Sequence, residues 1–146
     1  MTTDIDRAKA NEAIQAESKP KETQRENQAD KLVGLLKEST TELFLDEYGK
    51  PFAAFRGASG LLEVWPIRSS TFRQWAGRLA YKTWGKVPYS EAMGSALTTL
   101  EGMACFDGKR YPLSVRVARY GDAIWYDLGD WRAVKITPQE WTVTES

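Results

Sequence analysis

The chain has 146 residues, 42% of them hydrophobic, and its 20 Lys and Arg are balanced by 20 Asp and Glu for a formal charge of zero. That length suits one domain with a single core, and one cysteine, Cys105, excludes an internal disulfide. The absence of histidine excludes an imidazole-based zinc site, a Ser-His-Asp triad and a Cys-His dyad. No apolar run approaches the roughly 20 residues that span a bilayer, and Met1 to Lys9 has no secretory pattern. A cytoplasmic protein with no membrane partner is expected.

Residues 1–28 are rich in Lys, Glu, Gln, Asn and Ala, with Ile5 and Ile14 as the only branched aliphatics and Pro20 as a breaker. Such a stretch cannot bury enough apolar surface to offset chain entropy, and it reads as a disordered or weakly helical tail. Residues 29–146 read as a single α+β domain. Within it, Leu32, Val33, Leu35 and Leu36 lie close to one helical face, which predicts a short docking helix over 29–38. Leu43 to Leu45 and Phe52 to Phe55 flank the turn-rich Asp46-Glu47-Tyr48-Gly49-Lys50-Pro51, a hairpin pattern. After a turn at Gly57 to Gly60, Leu61 to Trp65 reads as a third strand that Pro66 ends.

Ser69, Ser70 and Thr71 offer capping hydroxyls, and Thr71 with Gln74 has capping-box spacing. Phe72, Trp75, Ala76 and Leu79 form the buried stripe of the following helix, Arg78 and Lys82 stand on another face, and Gly85 closes it. Ser90 is expected to cap a second helix, with Met93, Ala96, Leu97, Leu100 and Met103 or Ala104 at the helical period. Cys105, at its end, is expected as a small core residue. Leu113 to Val117 alternates as a strand. A meander then follows through Ile124 to Leu128, Arg132 to Ile136 and Trp141 to Val143, with turns at 120–123, 129–130 and 137–140.

The region Trp65 to Lys86 carries five cations, Arg68, Arg73, Arg78, Lys82 and Lys86, and no acid between Glu63 and Glu91. In a neutral chain this is a local concentration of charge, and it matches the footprint of a polyanion such as nucleic acid. Arg116 and Arg119 extend the candidate nucleic-acid-binding set, while Tyr81 and Trp84 are the aromatic candidates for a partner contact. The plain alternative is a solvated basic face. Arg68 has a structural alternative of its own, an ion pair with Glu63 or Glu101.

No phosphate-cradling loop is present, because Gly85-Lys86 and Gly108-Lys109 lack the upstream glycine. No catalytic residue, metal ligand or cofactor is assigned. A metal-dependent nuclease or nucleotidyl transferase using Asp127 and Asp130 is the weakest of the readings, since Asp46, Glu47 and Asp130 sit beside turn glycines where carboxylates serve the backbone.

Three motifs, Trp65-Pro-Ile-Arg-Ser-Ser-Thr-Phe-Arg-Gln-Trp75, Ser90-Glu-Ala-Met-Gly-Ser-Ala-Leu97 with Leu100-Glu-Gly-Met-Ala104, and Tyr126-Asp-Leu-Gly-Asp-Trp-Arg-Ala-Val-Lys-Ile-Thr-Pro138 before Trp141, occur in order. Together they resemble the region preceding the P-loop ATPase domain of phage and integrated-element primase-helicase-like proteins. The resemblance implies an accessory role in replication, with Arg68, Arg73 and Trp75 at the distinctive positions. In those proteins the region continues into the ATPase, and here the chain ends at Ser146. The leading expectation is a non-catalytic nucleic-acid-binding module. The second is a protein-interaction module, an inhibitor or adaptor of a host replication or defence complex.

Overall fold

The computed structural model describes Arg25 and residues 27–145. Most of the expected 1–28 tail lies outside the described residues; Arg25, Gln28 and their helical neighbours belong to the first helix. The architecture is α+β, with three helices among the described residues, one mixed four-stranded sheet and one antiparallel four-stranded sheet. By contacts the chain divides into two compact units, the first reaching Tyr111 and the second running from Pro112 to Ser146.

In the first unit, helix α1 (27–39) leads into β1 (Thr40–Leu45), β2 (Pro51–Arg56) and β3 (Leu62–Pro66). These strands pair antiparallel in the order β3-β2-β1. The β1–β2 turn is organised by Asp46, whose carboxylate accepts from the Tyr48 N–H at 2.9 Å and the Lys50 N–H at 2.7 Å. Gly49 supplies the positive φ of 84° that this turn requires. Pro66 is the last paired residue of β3, opposite Phe52, so the strand ends one residue later than expected. An edge strand tolerates this, because its outer side needs no N–H.

Helix α2 (Ser70–Trp84) is capped by Ser69, whose Oγ accepts from the Phe72 N–H, and closed by Gly85 at φ 65°. The expected Thr71–Gln74 capping box does not form, because the cap falls two residues earlier and places Phe72 at the third helical position. Helix α3 (Ser90–Phe106) has its cap position at Tyr89, with no side-chain cap bond; Ser90 is therefore the first helical residue and not the cap. The linker between α2 and α3 is instead held from α1. Gln28 accepts from the Tyr89 N–H at 2.7 Å, and Arg25 pairs with Glu91 at 3.1 Å.

All three helices contribute to one core. Leu32 and Leu36 of α1, Phe72, Ala76 and Ala80 of α2, and Met93, Ala96, Leu97, Leu100 and Ala104 of α3 pack with Ala53, Phe55 and Ile67. The inward stripes of α2 and α3 are those that the helical period marks. Cys105 corrects the sequence expectation, since it is exposed. Ala104 holds the buried position at the end of α3, and the next residue lies about 100° around the helix. Past the helix, β4 (Lys109–Arg110) joins β1 in parallel, a two-residue pairing with no periodicity to announce it.

The second unit is a meander of β5 (Val117–Tyr120), β6 (Ala123–Asp127), β7 (Arg132–Ile136) and β8 (Trp141–Glu145). The expected strand from Leu113 to Val117 is overturned, since β5 begins only at Val117. Arg116 has a φ of 67°, and the Val117 N–H donates to the Val115 carbonyl around it. This tight turn interrupts the alternation. Among the described residues no helix is long and apolar enough to cross a membrane.

Gly108 is fixed by close approach. A Cβ there would overlap the Ala104 carbonyl oxygen and come within 2.9 Å of the Leu43 carbonyl oxygen. Both obstacles are backbone, so Gly108→Ala is expected to lower stability by about 1–3 kcal/mol. Gly57→Ala meets only the flexible Glu63 side chain and should cost less in the same urea-unfolding measurement. Equal losses for the two variants would contradict this account.

Candidate functional site

The strongest candidate surface is the outward face of α2. Burial of Phe72, Ala76 and Ala80 turns positions 74, 77, 78 and 81 to the opposite side and leaves 73 and 82 on its two flanks, given about 100° per residue. Arg73, Gln74, Arg78, Tyr81 and Lys82 are exposed there, and Lys86 follows the closing glycine, also exposed. The helix itself contains no Asp or Glu. Arg73 Nη2 reaches Ser90 Oγ at 3.4 Å, a long bond that leaves most of its donors available. Among the described residues, Arg78, Lys82 and Lys86 have no side-chain hydrogen bond or ion pair.

The two aromatic candidates separate. Tyr81 is 58% exposed and lies between the cations of the outward face. Trp84 is half-buried and packs against the core, so less of its ring is open to a partner.

Arg68 is engaged within the fold. Its Nε donates to Glu101 Oε2 at 2.8 Å, and its Nη2 donates to Thr98 Oγ1 at 2.7 Å, joining the loop before α2 to the middle of α3. Glu101 thereby holds the guanidinium even more firmly in its charged form. Of the two pairings open in the sequence, Glu101 is the one formed. Glu63 instead accepts from Trp65 Nε1 at 2.9 Å.

Arg116 and Arg119 are exposed and belong to the second unit, so they are described with the meander. Its strands place two kinds of surface back to back. One face carries Ala118, Ala123, Trp125, Ala133 and Lys135, with the Lys135 ammonium 5.6 Å from the Trp125 ring centre. The other is built from two registered rows. Arg119 pairs with Ile124, Ile124 with Ile136 and Ile136 with Trp141; beside them Val117 pairs with Tyr126, Tyr126 with Val134 and Val134 with Val143. Val117, Ile124, Tyr126, Ile136, Trp141 and Val143 are between 41% and 69% exposed. The sequence reading places most of these residues in strands without assigning them an exposed face. Its signal was the repeated i, i+2 spacing of large apolar residues in consecutive strands.

The acidic candidates stabilise turns. Asp127 Oδ1 accepts from the Gly129 N–H at 2.8 Å. Asp130 Oδ2 accepts from Arg132 Nε at 2.9 Å and Nη2 at 2.6 Å. The hydrogen bond from Arg132 holds the Asp130 carboxyl below its ordinary range. Among the described residues no three Cys, Asp or Glu side chains gather as a metal site. A cleft of about 340 Å³ lies between the end of α1, the start of β1 and the end of α3, lined by Lys37, Thr40, Glu42, Met103 and Asp107 among others.

No protein-family model matches this chain, and no curated protein or solved structure matches it significantly in sequence or in fold.

The Arg68–Glu101 pair is half-exposed, with side-chain accessibilities of 53% and 23%, so its coupling should be modest. A double-mutant cycle of Arg68→Ala and Glu101→Ala is expected to give about 0.5–1 kcal/mol in chemical unfolding; a coupling of zero would dismiss the pin. Asp130, with its folded pKa lowered from the ordinary 3.8, contributes stability above that value and loses it as the pH falls through the depressed one. An NMR titration should show the Asp130 carboxyl protonating below 3.8 together with release of the Arg132 side chain, and protonation at or above 3.8 would contradict the pairing.

Proposed function

We propose that this protein is a non-catalytic accessory module that binds nucleic acid through the outward face of α2. The observation that carries the reading is the acid-free exposed side of α2, where Arg78 and Tyr81 lie centrally, Arg73 and Lys82 stand on its two flanks and Lys86 follows the helix. Lys and Arg neutralise phosphates and release condensed counterions, which gives affinity without sequence readout. An exposed Tyr ring adds a surface on which an unpaired base can stack. Arg68 is left out of the interface because Glu101 and Thr98 already fix its guanidinium through Nε and Nη2. The resemblance of the Trp65–Trp75, Ser90–Ala104 and Tyr126–Trp141 motifs to the region before a phage or mobile-element ATPase supports a replication setting in the cytoplasm.

A second reading, a protein-interaction module acting as inhibitor or adaptor on a host complex, draws on a different observation, the exposed apolar face of the meander.

The nucleic-acid reading is tested by titrating fluorescent single- and double-stranded oligonucleotides at several salt concentrations. Three or four phosphate contacts predict roughly a hundredfold loss of affinity for duplex between 50 and 200 mM salt. Arg78→Glu and Lys82→Glu should each weaken binding and lower the logarithmic salt slope by about one or more. Arg68→Ala should leave the slope unchanged. A flat salt response, or indifference to both charge reversals, would sink the proposal.

A further inference from the structure

We propose that the apolar face of the meander is a self-association surface, occupied by the same face of a second copy of this chain in a two-fold dimer. The inference rests on the protein-interaction reading of the meander and is independent of α2. Val117, Ile124, Tyr126, Val134, Ile136, Trp141 and Val143 form one contiguous face in two registered rows, and six of the seven are well exposed. At roughly 80 Å² for each aliphatic and about twice that for Trp141, the patch reaches the order of 600 Å², at the upper end for a monomer's surface. It also approaches the ~800 Å² per partner of a stable interface.

The order of the rows favours a second copy as occupant. In the sheet order β5-β6-β7-β8, a two-fold axis parallel to the strands lays β5 over β8 and β6 over β7. Sheets packed face to face keep their strands roughly aligned. Ile124 then faces Ile136 of the second copy, Tyr126 faces Val134, and Val117 faces Val143. At the rim Arg119 meets Trp141, a cation over the ring that attracts it best. The same rotation satisfies each contact twice, as a self-complementary interface requires.

Charge and composition weigh against the other occupants. A nucleic-acid platform would offer rings and free cations. Five of these seven residues are aliphatic, and of the two cations on the face Arg119 stands at the rim while Arg132 is held by Asp130 with Glu145 opposite it. The stretch 1–24 offers only Ile5 and Ile14 as branched aliphatics and no aromatic, too little to cover two rows.

Sedimentation equilibrium of the full chain at neutral pH, from about 1 to 200 μM, is expected to show a reversible monomer–dimer equilibrium that strengthens or holds as salt rises. Trp141→Glu and Val143→Lys, both at exposed positions, should each weaken dimerisation at least ~30-fold, with circular dichroism and unfolding temperature unchanged. If either variant fails to fold, Ile136→Thr keeps β-propensity and serves as the second probe. In a Cys105→Ser background, the pair Arg119→Cys and Trp141→Cys should give a disulfide-linked dimer on mild oxidation. Within one chain these positions are three strand spacings, about 14 Å, apart, beyond disulfide reach. A wild-type chain that stays monomeric at 200 μM overturns the proposal, as does a dimer indifferent to these substitutions. A monomer whose Trp141 fluorescence is quenched by oligothymidine would assign the face to single-stranded nucleic acid instead.

Discussion

Phe55 on β2 is the point at which the first sheet and its helices lock together. Its ring centre lies 4.2 Å from Trp75 and 5.5 Å from Phe72, and those two rings are 5.3 Å apart. Both partners come from α2, one helical turn apart, so the cluster fixes the rotation of that helix about its own axis. Once positions 72, 75, 76, 79 and 80 face inward, 74, 77, 78 and 81 must face outward, with 73 and 82 on the flanks. The cations of α2 are therefore placed by aromatic packing and not by attraction to anything in the fold. Burying a large side chain contributes about 1.5–3 kcal/mol, whereas exposed helix-surface charge pairs contribute a few tenths. Folding would tolerate glutamates on that face equally well, so their complete absence is a feature that stability does not explain.

Several carboxylates elsewhere in the protein do have structural work, and this sharpens the contrast. Asp46, buried to 8% exposure, holds the β1–β2 turn. Asp127 and Asp130 hold the turn between β6 and β7, and Glu101 holds Arg68. In each case a carboxylate accepts from donors that would otherwise lack partners. Arg68 and Arg78 look alike in sequence, both lying in the same acid-free run. The difference between them is long-range, because Glu101 is thirty-three residues from Arg68 along the chain and is brought close only when α3 packs.

That distinction describes what was legible before the structure. The helices could be read because Phe72, Ala76 and Leu79, or Met93, Leu97, Leu100 and Ala104, recur at the helical period, and Gly85 marks an end by its positive φ. The hairpin at Gly121-Asp122 could be read because its turn residues are few and local. The parallel pairing of β4 with β1 could not, since two residues have no period and their partner lies far back in sequence. The exposure of Cys105 and Phe106 was hidden for a related reason: apolar residues at a helix end look like core until the position of the last buried residue is known. In the meander the strands at 124–128, 132–136 and 141–143 are legible between their turns, whereas the alternation of 113–117 misleads, and alternation says only that two faces differ. It does not say which face is covered, and the small residues Ala118, Ala123 and Ala133 share the less exposed face with Trp125 while the large ones face solvent.

The two candidate surfaces are built on opposite physics, which makes them separable in one protein. The proposed contacts from Arg73, Arg78, Lys82 and Lys86 to phosphates would gain from counterion release and weaken as salt rises. Contacts among Ile124, Ile136, Val143 and Trp141 gain from removing apolar area from water, which excluded salts such as sulfate strengthen. On the two proposals together, low salt would favour binding through the helix face and high salt association through the sheet face. A chain of zero formal charge suits this arrangement, since its copies carry no net repulsion that would oppose association through the meander.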